Sequence, residues 1–255
     1  MPRTVRAKDN RLVRAAPLSV DELLAEIRRR LNAAVDPVFA EGQRRFFRHE
    51  VNTMGVRRAA LSPIVSFVYS AVRKWPVAER NRLCEALWRG PLEEGNIACY
   101  LCRRFARECG GAEFRLFERW IDRYVRNWAH CDGVASWLLA ACIANEPALI
   151  GELDRWTRSR NRWKRRGAAV ALLQEAKQGR NTDAIFRIAT QLADDADDMV
   201  QKGVGWLLKE TYPKRPAEVV RFLTPWRATA PRLLIRYAAE KMTPRDRAFV
   251  MARRA

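Results

Sequence analysis

No stretch of about eighteen apolar residues occurs in the chain, which excludes a membrane-spanning helix. Histidine is scarce: only His49 and His130 are present. Neither completes a metal set with Cys99-x-x-Cys102, the one zinc-like or redox-like spacing. No second such pair follows, so no metal site is expected, and Cys99 and Cys102 read as small buried thiols on an apolar helix. The six cysteines are scattered over 255 residues, unlike the dense framework of a small secreted domain, and fit a reducing cytoplasm. Met1 to Ala15 carry Arg3, Arg6, Lys8, Arg11 and Arg14 with no apolar segment behind them, so they are not a secretory signal. Residues 1–17 read as a basic, disordered N-terminal arm. Period-two alternation and Asn-Gly hairpin signals are missing, which argues against a strand-built domain. Acidic residues are the last deficit: 29 Asp and Glu face 48 Lys and Arg, a formal net charge of +19. An excess of that size points to a polyanionic partner.

What is present is helix after helix. A hydrophobic content of 48% excludes wholesale disorder. Ser19-Val-Asp-Glu22 is a capping box opening a helix whose Leu23, Leu24, Ile27 and Leu31 recur at helical spacing. Asp36-Pro37 starts a second, with proline at the first helical position. Further starts or breaks are expected at Ser62-Pro63, Pro76, Gly90-Pro91, Gly110-Gly111, Pro147, Gly179, Pro213, Pro216, Pro225, Pro231 and Pro244. Between them, segments such as Phe114, Phe117, Trp120, Ile121, Tyr124 and Val125 keep a three-to-four-residue apolar period. The expected class is all-α. Helices pair at intervals of roughly 35–45 residues, in the range of two-helix solenoid repeats. The expectation is a single domain over 18–255, a right-handed α-solenoid of HEAT-like helix pairs with a concave basic face.

Charge is unevenly spread. Arg155, Arg158, Arg160, Arg162, Lys164, Arg165 and Arg166 crowd residues 155–166 with no acid among them. They form either a solvated face or a phosphate-contacting one. Asp194, Asp195, Asp197 and Asp198 cluster between two helices, and the last two suit the N-terminus of the helix carrying Lys202, Trp206 and Lys209.

Within Asn127–Asp132, Trp128 stands four residues before Asp132. On a helix that spacing puts an indole and a carboxylate on one face. Such a pair is suited to a developing positive charge, the ring through its quadrupole and the carboxylate through Coulomb attraction and a bound water. On a DNA-binding surface this points to removal of a base, because the sugar left behind is a transient cation. A buried tryptophan beside a helix-start aspartate is the plainer alternative.

Four segments together resemble the helical-repeat DNA alkylation repair proteins, the AlkD-like alkylpurine DNA glycosylases. They are Arg45-Phe46-Phe47-Arg48 with Met54-Gly55-Val56-Arg57; Asn127-Trp128 with Asp132; Ser159-x-Asn161-x-Trp163-x-Arg165-Arg166-x-Ala168; and Gln201-Lys202-Gly203-Val204-Gly205-Trp206-x-Leu208-Lys209-Glu210. The resemblance spans roughly residues 20–250. It implies that Trp128 and Trp206 flank the deoxyribose of the lesion, that Asp132 lies near the anomeric carbon, and that Arg166 contacts backbone and helps hold the carboxylate. It implies hydrolysis of the N-glycosidic bond of N3- and N7-alkylated purines in double-stranded DNA without base flipping, an exception to the usual extrusion. DNA contacts are expected from Phe46, Arg57, Arg160, Arg162, Trp163, Lys164, Arg165, Lys202 and Lys209. No cofactor or metal is implied; the protein is expected to act as a cytoplasmic monomer, with bulky adducts within reach of an open cleft. Phe46 stands where many relatives carry tyrosine, Met54 replaces an aromatic, and His130 and Cys131 are unusual inside the Trp–Asp spacing. Trp163 is expected to pack and orient its helix, and His130 to pack at the surface or between helices. The rivals are a non-catalytic binder of branched or distorted DNA and a protein-binding HEAT scaffold. Retention of Trp128 and Asp132 argues against the first, and the net charge of +19 against the second.

Overall fold

The computed structural model describes residues 18–47 and 51–252; the basic arm expected over 1–17, together with Arg48 and His49, lies outside them. The chain opens with α1 (Val20–Asn32), α2 (Pro37–Phe46), α3 (Arg58–Val72), α4 (Val77–Leu87), α5 (Leu92–Arg103) and α6 (Gly111–Arg123). Then α7 (Trp128–Gly133) runs through a π-helical turn (Val134–Leu139) into α8 (Ala140–Asn145). There follow α9 (Glu152–Trp156), α10 (Arg162–Val170), α11 (Leu173–Gln178), α12 (Thr182–Gln191) and α13 (Asp198–Thr211). The chain closes with α14 (Pro216–Trp226), α15 (Arg232–Ala238) and α16 (Pro244–Met251). Among the described residues the only β pairing is an isolated bridge between Val35 and Val56. The protein is an all-α solenoid.

Local chemistry sets the helix ends. The Ser19 hydroxyl accepts from the Glu22 amide and Glu22 accepts from the Ser19 amide, the reciprocal box read from the sequence. Leu23, Ile27 and Leu31 below it are fully buried. Asp36 caps α2 through the Phe39 amide at 2.9 Å. The prolines at 76, 91, 216, 231 and 244 stand at helix starts, where a missing N–H costs nothing. Pro63 and Pro225 differ from expectation, since both lie inside helices. Both are exposed, so the carbonyl each leaves without its helical donor can turn to water.

Alternate elements form two layers. The inner layer runs α3, α5, α7 with its π turn, α10, α13, α15, each packed on the next; α4 backs α5, α6 backs the π turn, and α12 backs α10 and α13. One continuous core joins them from Leu23 to Val250, with Phe114, Phe117, Trp120 and Trp156 at its centre. A stack of this kind curves and presents its inner helices on a concave face.

The segment between α2 and α3 is held from beneath. Glu93 of α5 is buried, and its carboxylate accepts from the amides of Met54 (3.0 Å), Gly55 (2.9 Å) and Val56 (3.1 Å) and from the Thr53 hydroxyl (2.7 Å). Gly55 sits at φ 80°, and a Cβ there would lie 2.5 Å from the Asp36 carbonyl oxygen. The Met54-Gly55-Val56 motif is thus a turn wrapped around a buried anion.

Candidate functional site

Asn127 begins the site by capping α7, its side-chain oxygen accepting from the His130 amide at 2.9 Å. With the helix started there, Trp128 and Asp132 lie one turn apart and line the same cleft. Between them, His130 and Cys131 face inward. His130 is buried, its Nε2 sits 3.0 Å from the Leu92 carbonyl and its ring meets Trp88 edge-on. Burial lowers its pKa, with the Leu92 contact and Glu93 acting against the shift. His130 therefore packs between helices. Cys131 points to the Trp163 carbonyl at 3.3 Å.

Asp132 is met from α10 by Arg166, whose Nε and Nη2 donate to the two carboxylate oxygens at 2.8 and 2.9 Å. The remaining guanidinium nitrogen donates to the Met199 carbonyl at 2.6 Å, so one arginine ties α7, α10 and α13 together. The side chains of Arg166 and Asp132 are only 7% and 15% exposed. Burial pushes the Asp132 carboxyl above its ordinary pKa, and the charge and hydrogen bonds of Arg166 pull the other way.

Aromatic groups surround the pair. Phe47 stacks on Trp128 at 5.4 Å and 18°, and Phe46 meets it edge-on at 5.7 Å; Phe46 is 71% exposed. Trp206 of α13, half-buried, donates its indole N–H to Glu210 at 3.2 Å. It can line the cleft because Gly205 lets α13 approach α15; a Cβ there would lie 2.5 Å from the Tyr237 Cβ. Trp163 is buried, with the Arg162 guanidinium 4.8 Å from its ring centre. The resulting cleft, about 440 Å³, brings together Phe46, Phe47, Trp128, Asp132, Arg162, Trp163, Arg166, Lys202 and Trp206.

Five expected DNA contacts are not among the cleft residues. Arg57 is held by Asp36 at 2.9 Å, Lys164 by Glu118 and Asp122 at 2.8 and 2.9 Å, Arg165 by Asp195 at 2.7 Å, and Lys209 by Glu240 at 2.8 Å. Arg160 is exposed. The acidic cluster also has a second use: Asp197 caps α13 and pairs with Arg162 at 3.2 Å, while Asp198 pairs with Lys202 at 3.2 Å. Arg126, Met199 and Tyr237 line the cleft without any sequence signal. Cys99 and Cys102 do not converge on a shared ligand position: Cys102 lies 3.7 Å from Cys84, and Cys99 packs under Gly133. Among the described residues no cluster of His, Cys, Asp or Glu suits a metal ion, and no helix is long and apolar enough to cross a membrane.

The family model described as DNA alkylation repair enzyme matches residues 27–242, so the chain belongs to that family. Two solved structures share the fold. One is described as a predicted DNA alkylation repair enzyme from Enterococcus faecalis, with TM-score 0.74 and 16% identity over 82% of this chain and 97% of that one. The other is smu.31 from Streptococcus mutans UA159, with TM-score 0.58 and 16% identity over 87% of this chain and all of that one. A search of curated proteins finds no match.

Proposed function

We propose that this protein is a monofunctional DNA glycosylase that releases cationic N3- and N7-alkylated purines from duplex DNA. The observation that carries the reading is the placement of Trp128, Asp132 and Trp206 around one open cleft, with Asp132 anchored by Arg166. An alkylated purine already bears a positive charge and leaves without a general acid. The glycosidic bond breaks with its electron pair going to the base, which becomes neutral, and the charge passes to the sugar. Each indole contributes about 0.5–2 kcal/mol to a desolvated cation at its face. Phe47 covers one side of Trp128, so the sugar meets the other. The Arg166 fork occupies one lone pair of each Asp132 oxygen; the others are left to orient a water that adds to the anomeric carbon and gives its proton to solvent. The sum is a few powers of ten in rate, at about 1.36 kcal/mol per tenfold, enough for a labile lesion and not for a normal base.

The base needs no protein pocket of its own in this scheme, so the size of the adduct is of little consequence. Double-stranded DNA is the partner, Arg162 and Lys202 at the cleft rim meet its phosphates, and one copy of the domain suffices. Incubating the protein with duplex carrying 7-methylguanine or 3-methyladenine tests the reading: free base is expected in solution. Intact lesions after long incubation, with the duplex bound, would instead favour a non-catalytic DNA binder.

A further inference from the structure

The catalytic cleft occupies the Trp128 end of the helix formed by α7, the π turn and α8. Further along the inner layer lies a second concentration of positive charge. Arg58 at the start of α3 and Arg103 and Arg104 at the end of α5 line a groove of about 350 Å³ with Ser62 and Tyr100. Each guanidinium lies over an aromatic ring: Arg58 over Tyr100 at 6.0 Å, Arg103 over Trp137 at 5.2 Å, and Arg104 over Tyr69 at 5.6 Å. Tyr100 and Trp137 themselves stack at 5.1 Å and 28°. A ring face orders a guanidinium without neutralising it, and its N–H fork stays available for a bidentate oxygen acceptor. Elsewhere the arginines Arg28, Arg57, Arg155, Arg165 and Arg187 are each held by a carboxylate. Among the described residues Arg58, Arg103 and Arg104 form no such pair.

The groove faces the same way as the cleft. Cys102 of α5 points at Cys84 in the outer layer, and Tyr100 and Arg104, two residues to either side, lie about 200° around the helix from it. Tyr100 stacks on Trp137, five residues beyond Asp132, and a π turn is the geometry that brings i and i+5 into line. From Trp128 to Trp137 is nine residues, about 13 Å at 1.5 Å per residue. Duplex grooves are about 6 and 12 Å wide. A single duplex is wide enough to reach both places.

We propose that Arg58, Arg103 and Arg104 form a second anchoring site for backbone phosphates of the duplex, about a groove's width from the sugar held at Trp128 and Asp132. The inference rests on the DNA-binding part of the functional reading and not on the chemistry of base release. Its test is fluorescence anisotropy on undamaged duplex over a salt series. Changing Arg58, Arg103 and Arg104 together to Gln should weaken binding and flatten the plot of log K against log salt by about 2–3, the loss of three phosphates at about 0.9 each. The matching Lys triple, which keeps the charge, should retain the slope. A control triple, Arg155→Gln, Arg180→Gln and Arg187→Gln, removes equal charge from arginines already paired and should leave binding as it was. An unchanged slope in the first variant, or an equal loss in the control, would overturn the assignment. Duplex binding with the expected slope change but no base release would uphold this site and remove the glycosylase reading. No binding by the unmodified protein would remove both.

Discussion

Burial raises the pKa of the Asp132 carboxyl, and Arg166 restrains the rise. Only the ionised carboxylate opposes a cation, so base release should persist above this group's pKa and fall as pH drops through it. Because the shift is upward, the acid limb of the single-turnover pH–rate profile should lie above about 3.9, the unperturbed aspartate value. A limb at or below that value would place the essential carboxylate elsewhere. Removing Arg166 is a different kind of change. Arg166→Ala leaves a carboxylate buried without its partner and should cost about 3–5 kcal/mol of stability, read as a lower urea midpoint. Trp128→Leu keeps apolar bulk against Phe47 but removes the quadrupole. It should raise the barrier to base release by about 1–2 kcal/mol, a slowing of roughly five- to thirtyfold.

At the scale of elements, the turn between α2 and α3 depends on an anion supplied by α5. Glu93→Ala takes the acceptor from three backbone amides and the Thr53 hydroxyl, in a place water cannot freely reach. At about 1–3 kcal/mol for each buried donor left unmet, the loss should be at least about 3 kcal/mol in chemical denaturation. A near-neutral result would mean that the turn has another source of order. This device was not legible in the sequence, because a buried glutamate among Leu92, Gly95 and Ile97 looks like any first-turn acid of a helix. Helix starts were legible, since Ser19 and Asp36 accept from amides three residues on and Pro91 lacks the N–H that a helix start leaves unpaired. So was the shared face of Trp128 and Asp132, which follows from one helical turn. The fate of each arginine was not. Residues 162–166 turn through more than a full helical circle, so a basic run sends its side chains in every direction. Which of them keep their charge for a partner is decided by carboxylates far along the chain, Glu118 for Lys164 and Asp195 for Arg165. Arg126 from the connection before α7, Met199 of α13 and Tyr237 of α15 reach the cleft only through packing between helices, which no local spacing encodes.

For the whole molecule, the excess of 19 positive charges has its consequence in long-range attraction rather than in the fold. Many exposed arginines are internally paired, whereas Arg58, Arg103 and Arg104 of the inner layer are backed by aromatic rings and keep their charge for a partner. If roughly six to eight phosphates are met, log K for duplex against log salt should slope about −5 to −7. A slope near zero would favour a protein-binding scaffold. The family model places this chain among DNA alkylation repair enzymes; the central claim is that its cleft works by stabilising a sugar cation.

The most direct test is single-turnover base release from duplexes carrying 7-methylguanine or uracil, with the unmodified protein and Asp132→Asn compared and circular dichroism verifying that both are folded. The account predicts that 7-methylguanine appears as free base, that Asp132→Asn releases it at least about tenfold more slowly while binding duplex no less tightly, and that uracil stays attached. Equal rates for the two proteins, or rapid release of uracil, would contradict it.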